Sequence, residues 1–140
     1  MINLNNLNRQ HVTIRDELSF LEAEIKKGYP NMNIAETAVH ISKLAGQLRI
    51  HLLEEDRFLY PNLIDGSDKD IQVLANQYQK EMGDLAQRYI VFKNQYNLVS
   101  KINDRKESFL SDAKIILEVL KNRIMKEDNE LYALIKTRGL

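Results

Sequence analysis

Apolar residues recur at alternating steps of three and four along four separate stretches of the chain, and this spacing constrains the fold more than any other feature. The first stretch comprises Leu4, Leu7, His11, Ile14, Leu18, Leu21 and Ile25. Such steps place side chains on one face of an α-helix, because the helix turns once in about 3.6 residues. Each stretch therefore predicts a long amphipathic helix with one buried face.

Capping signals divide these four helices from one another. A helix tends to begin after Ser, Thr, Asp or Asn and to end at Gly, with cations in its last turn. The predicted boundaries are Lys26-Lys27-Gly28 for the end of the first helix, Asn33 with Glu36 for the start of the second, Asp65-Gly66 for its end, Ser67 for the cap of the third, and a point between Asn103 and Ser108 for the start of the fourth.

Four long helices joined by short loops predict an all-α fold, an antiparallel up-down-up-down four-helix bundle. A chain of 140 residues is long enough to bury a substantial core, and one domain covering residues 1–140 is expected. No internal repeat is evident, and the absence of cysteine leaves no disulfide and no thiolate ligand for zinc.

Charge and motif content argue against several classes of function. Twenty Lys and Arg balance twenty Asp and Glu, so no basic field attracts nucleic acid. No apolar run approaches the roughly 20 residues that cross a bilayer, and the first residues lack a signal-peptide pattern, which predicts a cytoplasmic protein without membrane contact. No hydrolase triad or phosphate loop is present, so we expect no enzyme; a protein partner and the oligomeric state stay open.

Four ionisable residues interrupt the apolar faces: His11, His51, Glu55 and Glu127. His51 and Glu55 are four residues apart and so lie on one helix face, which they share with apolar neighbours such as Leu48 and Leu52. A lone buried carboxylate costs several kcal/mol unless it is paired or bound to a cation. In an up-down bundle these residues also fall in about the same layer, since the start of the first helix lies level with the ends of the second and fourth. Two histidines and two carboxylates suit iron, manganese or zinc.

Three segments of the chain carry a resemblance to the hemerythrin-like, or HHE cation-binding, domain family. They are 7–11 on the first helix, 51–63 with its His-x-x-x-Glu and Leu-Tyr-Pro, and 123–132 on the fourth helix. The resemblance extends from Leu7 to Leu134. It implies a four-helix bundle and a diiron site that binds or senses dioxygen, with a histidine on the first helix and His-x-x-x-Glu on the second.

The family pattern is only half present in this chain. His11, His51, Glu55 and Glu127 match it, whereas the third helix has Met82 in place of a histidine and the fourth has Arg123 in place of another. In the family one iron takes the histidines of the first two helices and the other takes those of the last two. The resemblance therefore implies one half-site kept and one lost.

Two functions remain open at this point. The first is a cation-binding bundle with a sensing or regulatory role, in which His11, His51, Glu55 and Glu127 hold one divalent ion. The second is a metal-free interaction or structural module, in which the guanidinium of Arg123 clamps the two buried glutamates and replaces the lost metal. The cofactor is accordingly either one iron, manganese or zinc ion or none.

Overall fold

The computed structural model describes residues 1–140 and contains helices but no strand, which confirms the all-α class. The helices are α1 (Asn5–Lys27), α2 (Ile34–Glu54), α3 (Tyr60–Ile64), α4 (Lys69–Tyr96), α5 (Val99–Asp104), α6 (Lys106–Lys126) and α7 (Ala133–Thr137). Two π-helical turns, Glu55–Leu59 and Glu127–Tyr132, join α2 to α3 and α6 to α7. The second and fourth long helices therefore continue through a widened turn instead of ending at it.

Local chemistry explains most of the helix ends. α1 ends in two lysines followed by Gly28, whose positive φ of 67° is readily available only to glycine. The Asn33 side chain accepts a hydrogen bond from the backbone N–H of Glu36 at 3.0 Å, so it caps α2 as predicted.

The prediction of Ser67 as the cap of α4 is wrong by one residue. Asp68 is the cap, and its carboxylate accepts from the backbone N–H of Ile71 at 3.1 Å. The same carboxylate accepts from Arg138 near the carboxyl end of the chain, at 2.7 and 2.8 Å. Oδ1 of Asp68 accepts from both donors and Oδ2 accepts from Arg138 alone, which is possible because each carboxylate oxygen has more than one lone pair.

The long helices contact one another around an apolar interior. α1 packs against α2 and α6, and α4 packs against the same two helices. Apolar side chains at the centres of all four, Leu18, Leu48, Leu85 and Leu120, are buried as the spacing predicts. No helix combines the length and the apolar character needed to cross a membrane.

Tyrosines of α4 add polar links between the helices. A tyrosine at the edge of a core more often turns its hydroxyl toward water, but the Tyr78, Tyr89 and Tyr96 side chains are all buried. The Tyr89 hydroxyl donates to the carbonyl oxygen of Ile41 at 2.7 Å, and the Tyr96 hydroxyl donates to the Asp112 carboxylate at 2.6 Å. A buried hydroxyl needs such a partner to offset the loss of water.

The interior consists of two separate apolar clusters with a polar layer between them. On α1, Leu7 belongs to one cluster and Ile14 to the other, and His11 lies between them in sequence. On the fourth long helix Ile124 and Leu131 belong to different clusters in the same way, with Glu127 between them. The break in the core thus coincides with the predicted metal-ligand residues.

Candidate metal centre

The two histidines of the polar layer face each other from α1 and α2. His11 and His51 are both completely buried, and their Nε2 atoms are 3.0 Å apart. When two nitrogen atoms bind one metal ion, each about 2.1 Å from it, the two nitrogens lie roughly 3.0–3.4 Å from each other, depending on the coordination angle. The observed separation therefore matches that of two imidazole ligands of one ion.

Each imidazole is oriented through its other nitrogen. His11 Nδ1 lies 2.7 Å from Oδ1 of Asp128, and Arg15 donates to the second oxygen of that carboxylate at 2.5 Å. His51 Nδ1 lies 2.8 Å from Oε1 of Gln10. Because these oxygens only accept, each Nδ1 carries the hydrogen, and the Nε2 lone pairs point toward each other. Histidines that bind metals are commonly oriented in this way.

The two carboxylates complete the polar layer. Oε2 of Glu127 lies 3.8 Å from His11 Nε2 and 4.0 Å from His51 Nε2, and Oε1 of Glu55 lies 3.3 Å from His51 Nε2. Both oxygens of Glu127 and Oε1 of Glu55 are buried without a hydrogen-bond partner. The second oxygen of Glu55 accepts from the Tyr132 hydroxyl at 2.8 Å. The structure thus brings all four predicted residues together.

Burial and mutual repulsion govern the charges here. Burial, and then the proximity of His11, lowers the pKa of His51 to about 3, so this imidazole is neutral at physiological pH. Burial and the neighbouring Glu127 carboxylate raise the pKa of Glu55, and the hydrogen bond from Tyr132 offsets this only in part. Burial and the nearby Glu55 also raise the pKa of Tyr132, which keeps its hydroxyl protonated and donating.

These features meet the requirements of a divalent cation. The layer offers two neutral nitrogen lone pairs and carboxylate oxygens that have no other partner. One ligand atom from each of His11, His51 and Glu127 lies within 4.8 Å of the other two. A cation would satisfy the unpartnered oxygens and relieve the repulsion between the carboxylates.

The widened helical turns begin at the two carboxylates. One π-helical turn starts at Glu55 and the other at Glu127, and π-turns within α-helices are frequent at functional sites. Each glutamate opens the same six-residue pattern, Glu-Asp-x-x-Leu-Tyr, at 55–60 and 127–132. Both tyrosines of the pattern, Tyr60 and Tyr132, are buried.

Sequence reasoning missed several residues that support the centre. Gln10 and Asp128 orient the histidines, Tyr132 holds Glu55, and the hydroxyl of Tyr60 is buried without a partner. The repeated six-residue pattern was a usable signal for Asp128 and for the two tyrosines. A pattern of six residues is too short to indicate a repeated domain.

Arg123 does not clamp the buried glutamates, as the metal-free alternative requires. Its guanidinium instead pairs with Glu81 on α4, whose side chain is 40% exposed, and lies over the ring of Tyr78 at 4.8 Å from the centroid. Ile124 takes the fully buried position beside it. A guanidinium is long enough to reach a half-exposed carboxylate, and this avoids the cost of burying its charge beside Glu55 and Glu127.

Met82 occupies the position on α4 where the family resemblance leads one to expect a histidine. It is completely buried in the larger apolar cluster. No nitrogen ligand therefore comes from α4 or from position 123, and the nitrogen donors of the layer are confined to the first two long helices.

Comparison with known protein families agrees with this geometry. The sequence model described as the hemerythrin HHE cation binding domain matches residues 3–135, almost the whole chain. The chain belongs to this family. Comparisons with curated proteins and with solved structures gave no match. The recognition of an HHE domain from its histidine and glutamate spacing is thereby confirmed, and membership in a cation-binding family agrees with the donor set of the polar layer.

Proposed function

We propose that this HHE domain binds a single divalent cation in the polar layer and serves a sensing or regulatory role. His11 and His51 would supply the nitrogen ligands, Glu127 an oxygen ligand, and Glu55 a further oxygen. The observation that carries the proposal is the pair of Nε2 atoms 3.0 Å apart, with the unpartnered oxygens of Glu127 beside them.

Iron, manganese and zinc all suit two imidazoles with carboxylates. A bound ion of this kind supplies a Lewis-acidic centre, and iron or manganese adds a redox couple. The protein residues hold the ligand atoms in place: Asp128 and Gln10 orient the imidazoles, and Tyr132 restrains Glu55. We favour a binding role without catalysis because all four ligand residues are completely buried and none of them faces solvent.

We further propose the antiparallel up-down-up-down arrangement of four long helical segments. Contacts near the chain ends support it: the backbone N–H of Ile2 donates to the carbonyl oxygen of Leu140 at 2.5 Å, and His11 on the first segment meets Asp128 on the fourth. The second and third segments also run in opposite directions. Tyr89, late in α4, reaches Ile41, early in α2. Gln79, earlier in α4, hydrogen-bonds Asp56, just beyond the end of α2, at 3.1 Å. A single domain, a cytoplasmic location and the absence of nucleic-acid partners stay predictions.

Metal titration tests the proposed function directly. Protein stripped with a chelator should take up one equivalent of zinc(II), iron(II) or manganese(II), measured by calorimetry and by elemental analysis after gel filtration. His51→Ala should abolish this uptake, whereas His40→Ala should leave it unchanged, because His40 pairs with Glu17 outside the layer at 2.6 Å. Uptake of two equivalents, or equal uptake by the His51→Ala variant, would contradict the single-ion centre.

A further inference from the structure

A shallow groove on the outside of α1 and α2 lies next to the candidate centre. It has a volume of about 320 Å³, and Gln10 and Glu54 both line it. Glu54 is half-buried, and its side chain hydrogen-bonds Asn6 and Gln10 and none of His11, His51 and Glu127, so it belongs to the groove and not to the polar layer. Gln10 alone connects the two, because it also contacts His51.

The connection is a continuous line of hydrogen bonds. Gln10 Nε2 donates to Oε2 of Glu54 at 3.0 Å, and Oε1 of the same amide lies 2.8 Å from Nδ1 of His51. Asn6 supports the outer end by donating to the other Glu54 oxygen at 3.4 Å. The His51 imidazole is therefore linked to a surface carboxylate through one glutamine amide.

The direction of these bonds is fixed by chemistry at the outer end. An ionised carboxylate only accepts hydrogen bonds, so Gln10 must turn its NH₂ toward Glu54 and its carbonyl oxygen toward His51. A carbonyl oxygen also only accepts, so His51 Nδ1 must carry the hydrogen. The Nε2 lone pair is then free and points toward the other ligands.

A glutamine amide has a second orientation that reverses this outcome. Rotated by half a turn, Gln10 would present its NH₂ to His51 Nδ1, which would then have to accept. The neutral imidazole would carry its hydrogen on Nε2, and that hydrogen would point at the position of the cation. The other histidine has no such alternative, because Asp128 only accepts and Arg15 holds it at 2.5 Å.

We propose that Glu54, acting through the amide of Gln10, sets the tautomer of His51 and thereby controls whether the centre can accept a cation. Glu54 and Gln10 are positioning residues, since neither offers an atom to the ion. The part of this inference that concerns the cation rests on the proposed function, whereas the part that concerns the tautomer does not.

Glu54→Lys is the most direct perturbation. The introduced ammonium can only donate, so it should attract the carbonyl oxygen of Gln10 and turn the NH₂ toward His51. Nitrogen-15 NMR of the metal-free protein distinguishes the two tautomers, and we expect the His51 hydrogen to move from Nδ1 to Nε2. We expect the zinc(II) affinity to fall by about tenfold or more, the usual range when a residue that orients a ligand is lost.

Asp56→Lys is the matched control for charge. Asp56 flanks Glu55 on the other side, is exposed, and bonds Gln79 instead of Gln10, at 3.1 Å. The control makes the same charge change at the same distance in sequence from Glu55, and should leave the tautomer of His51 unchanged. An equal loss of zinc affinity in both variants would mean that the change of charge beside Glu55 causes the loss, and this would overturn the inference.

A second substitution should reverse the effect of the first. In the double variant Glu54→Lys, Gln10→Glu, the new carboxylate can accept from both the ammonium and His51 Nδ1. The Nδ1 hydrogen and the zinc affinity should both return toward those of the natural protein. Failure of the double variant to restore the tautomer would count against the relay.

The natural protein alone already tests the inference. A hydrogen on Nε2 of His51 in the metal-free natural protein would overturn it, even if Glu54→Lys fails to fold. If the natural protein shows the expected tautomer but takes up no metal, the proposed function fails while the relay between Glu54 and His51 stands. The two failures are thus distinguishable.

Discussion

Replacing Glu127 by methionine should make the metal-free protein more stable and the metal-loaded protein less so. Both oxygens of Glu127 are completely buried and have no hydrogen-bond partner. A buried polar group without a partner costs about 1–3 kcal/mol. Methionine has a similar volume and no such group, and a volume-conserving exchange costs less than about 1.5 kcal/mol.

The expected net gain in the free energy of unfolding of the metal-free protein is the first figure less the second, and so reaches at most about 3 kcal/mol. The entropy of unfolding is about 2.1 cal/mol/K per residue, or about 0.3 kcal/mol/K for a chain of 140 residues. The gain therefore corresponds to a rise in Tm of up to roughly 10 °C. A ligand at a thousand times its Kd stabilises the natural protein by about 4 kcal/mol, and the variant should lose most of that.

Thermal melts followed by circular dichroism, with a chelator and with excess zinc(II), measure both effects. The variant should melt above the natural protein in chelator and below it in zinc. Glu118→Met is the matched control, because Glu118 is exposed on α6 and the exchange should change stability by less than about 0.5 kcal/mol. A lower Tm for Glu127→Met in chelator would refute the reasoning, since it would mean that the carboxylate is satisfied without a cation.

Three further substitutions probe polar contacts at the centre, beside it and away from it. Arg123→Ala should lower the free energy of unfolding, measured in urea, by only about 1–2 kcal/mol, because the guanidinium has a half-exposed partner and contacts one aromatic face. A loss of about 4 kcal/mol would instead indicate that Arg123 clamps the buried glutamates. Tyr132→Phe should cost about 1–3 kcal/mol by the same measurement, since Glu55 loses the donor at 2.8 Å. Burial raises the pKa of Glu17, but hydrogen bonds from His40 and Lys43 together outweigh burial, and the pKa is lowered. The contribution of the Glu17 carboxylate to stability is therefore present above about pH 4.5 and is lost as the pH falls. Glu17→Gln should therefore be destabilising near neutral pH, with the difference from the natural protein shrinking below about pH 4; a difference that grows in acid would be contrary to this.

The helices themselves were largely predictable from the sequence. The unbroken spacing of Leu4 to Ile25 identified the buried face of α1, and Asn33 identified the start of α2, because both signals act within a few residues. The π-helical turns at Glu55 and Glu127 were not predictable, since apolar spacing does not distinguish a widened turn from an ordinary one. Asp68 and Ser67 are both good caps, so only the structure showed which one acts.

For the centre, the sequence by itself determined which residues are forced inside. A histidine or glutamate at a buried helical position needs a partner, and the apolar spacing placed His11, His51, Glu55 and Glu127 at such positions. Their convergence also followed from the helix lengths, because all four lie near the ends of helices that meet in one layer. The apolar spacing did not indicate Glu17 and Glu24, which are also buried.

Only the tertiary structure decided how these side chains are oriented and which charges they meet. Arg123 lies one turn from Glu127 on the same helix, yet it pairs with Glu81 because the neighbouring α4 brings a half-exposed carboxylate within its reach. Gln10 and Asp128 orient the histidines through contacts that span 41 and 117 residues of chain. The physical reason is that helical periodicity specifies which face of a helix is buried, whereas the hydrogen-bond partners on that face come from other helices, at distances that only packing establishes.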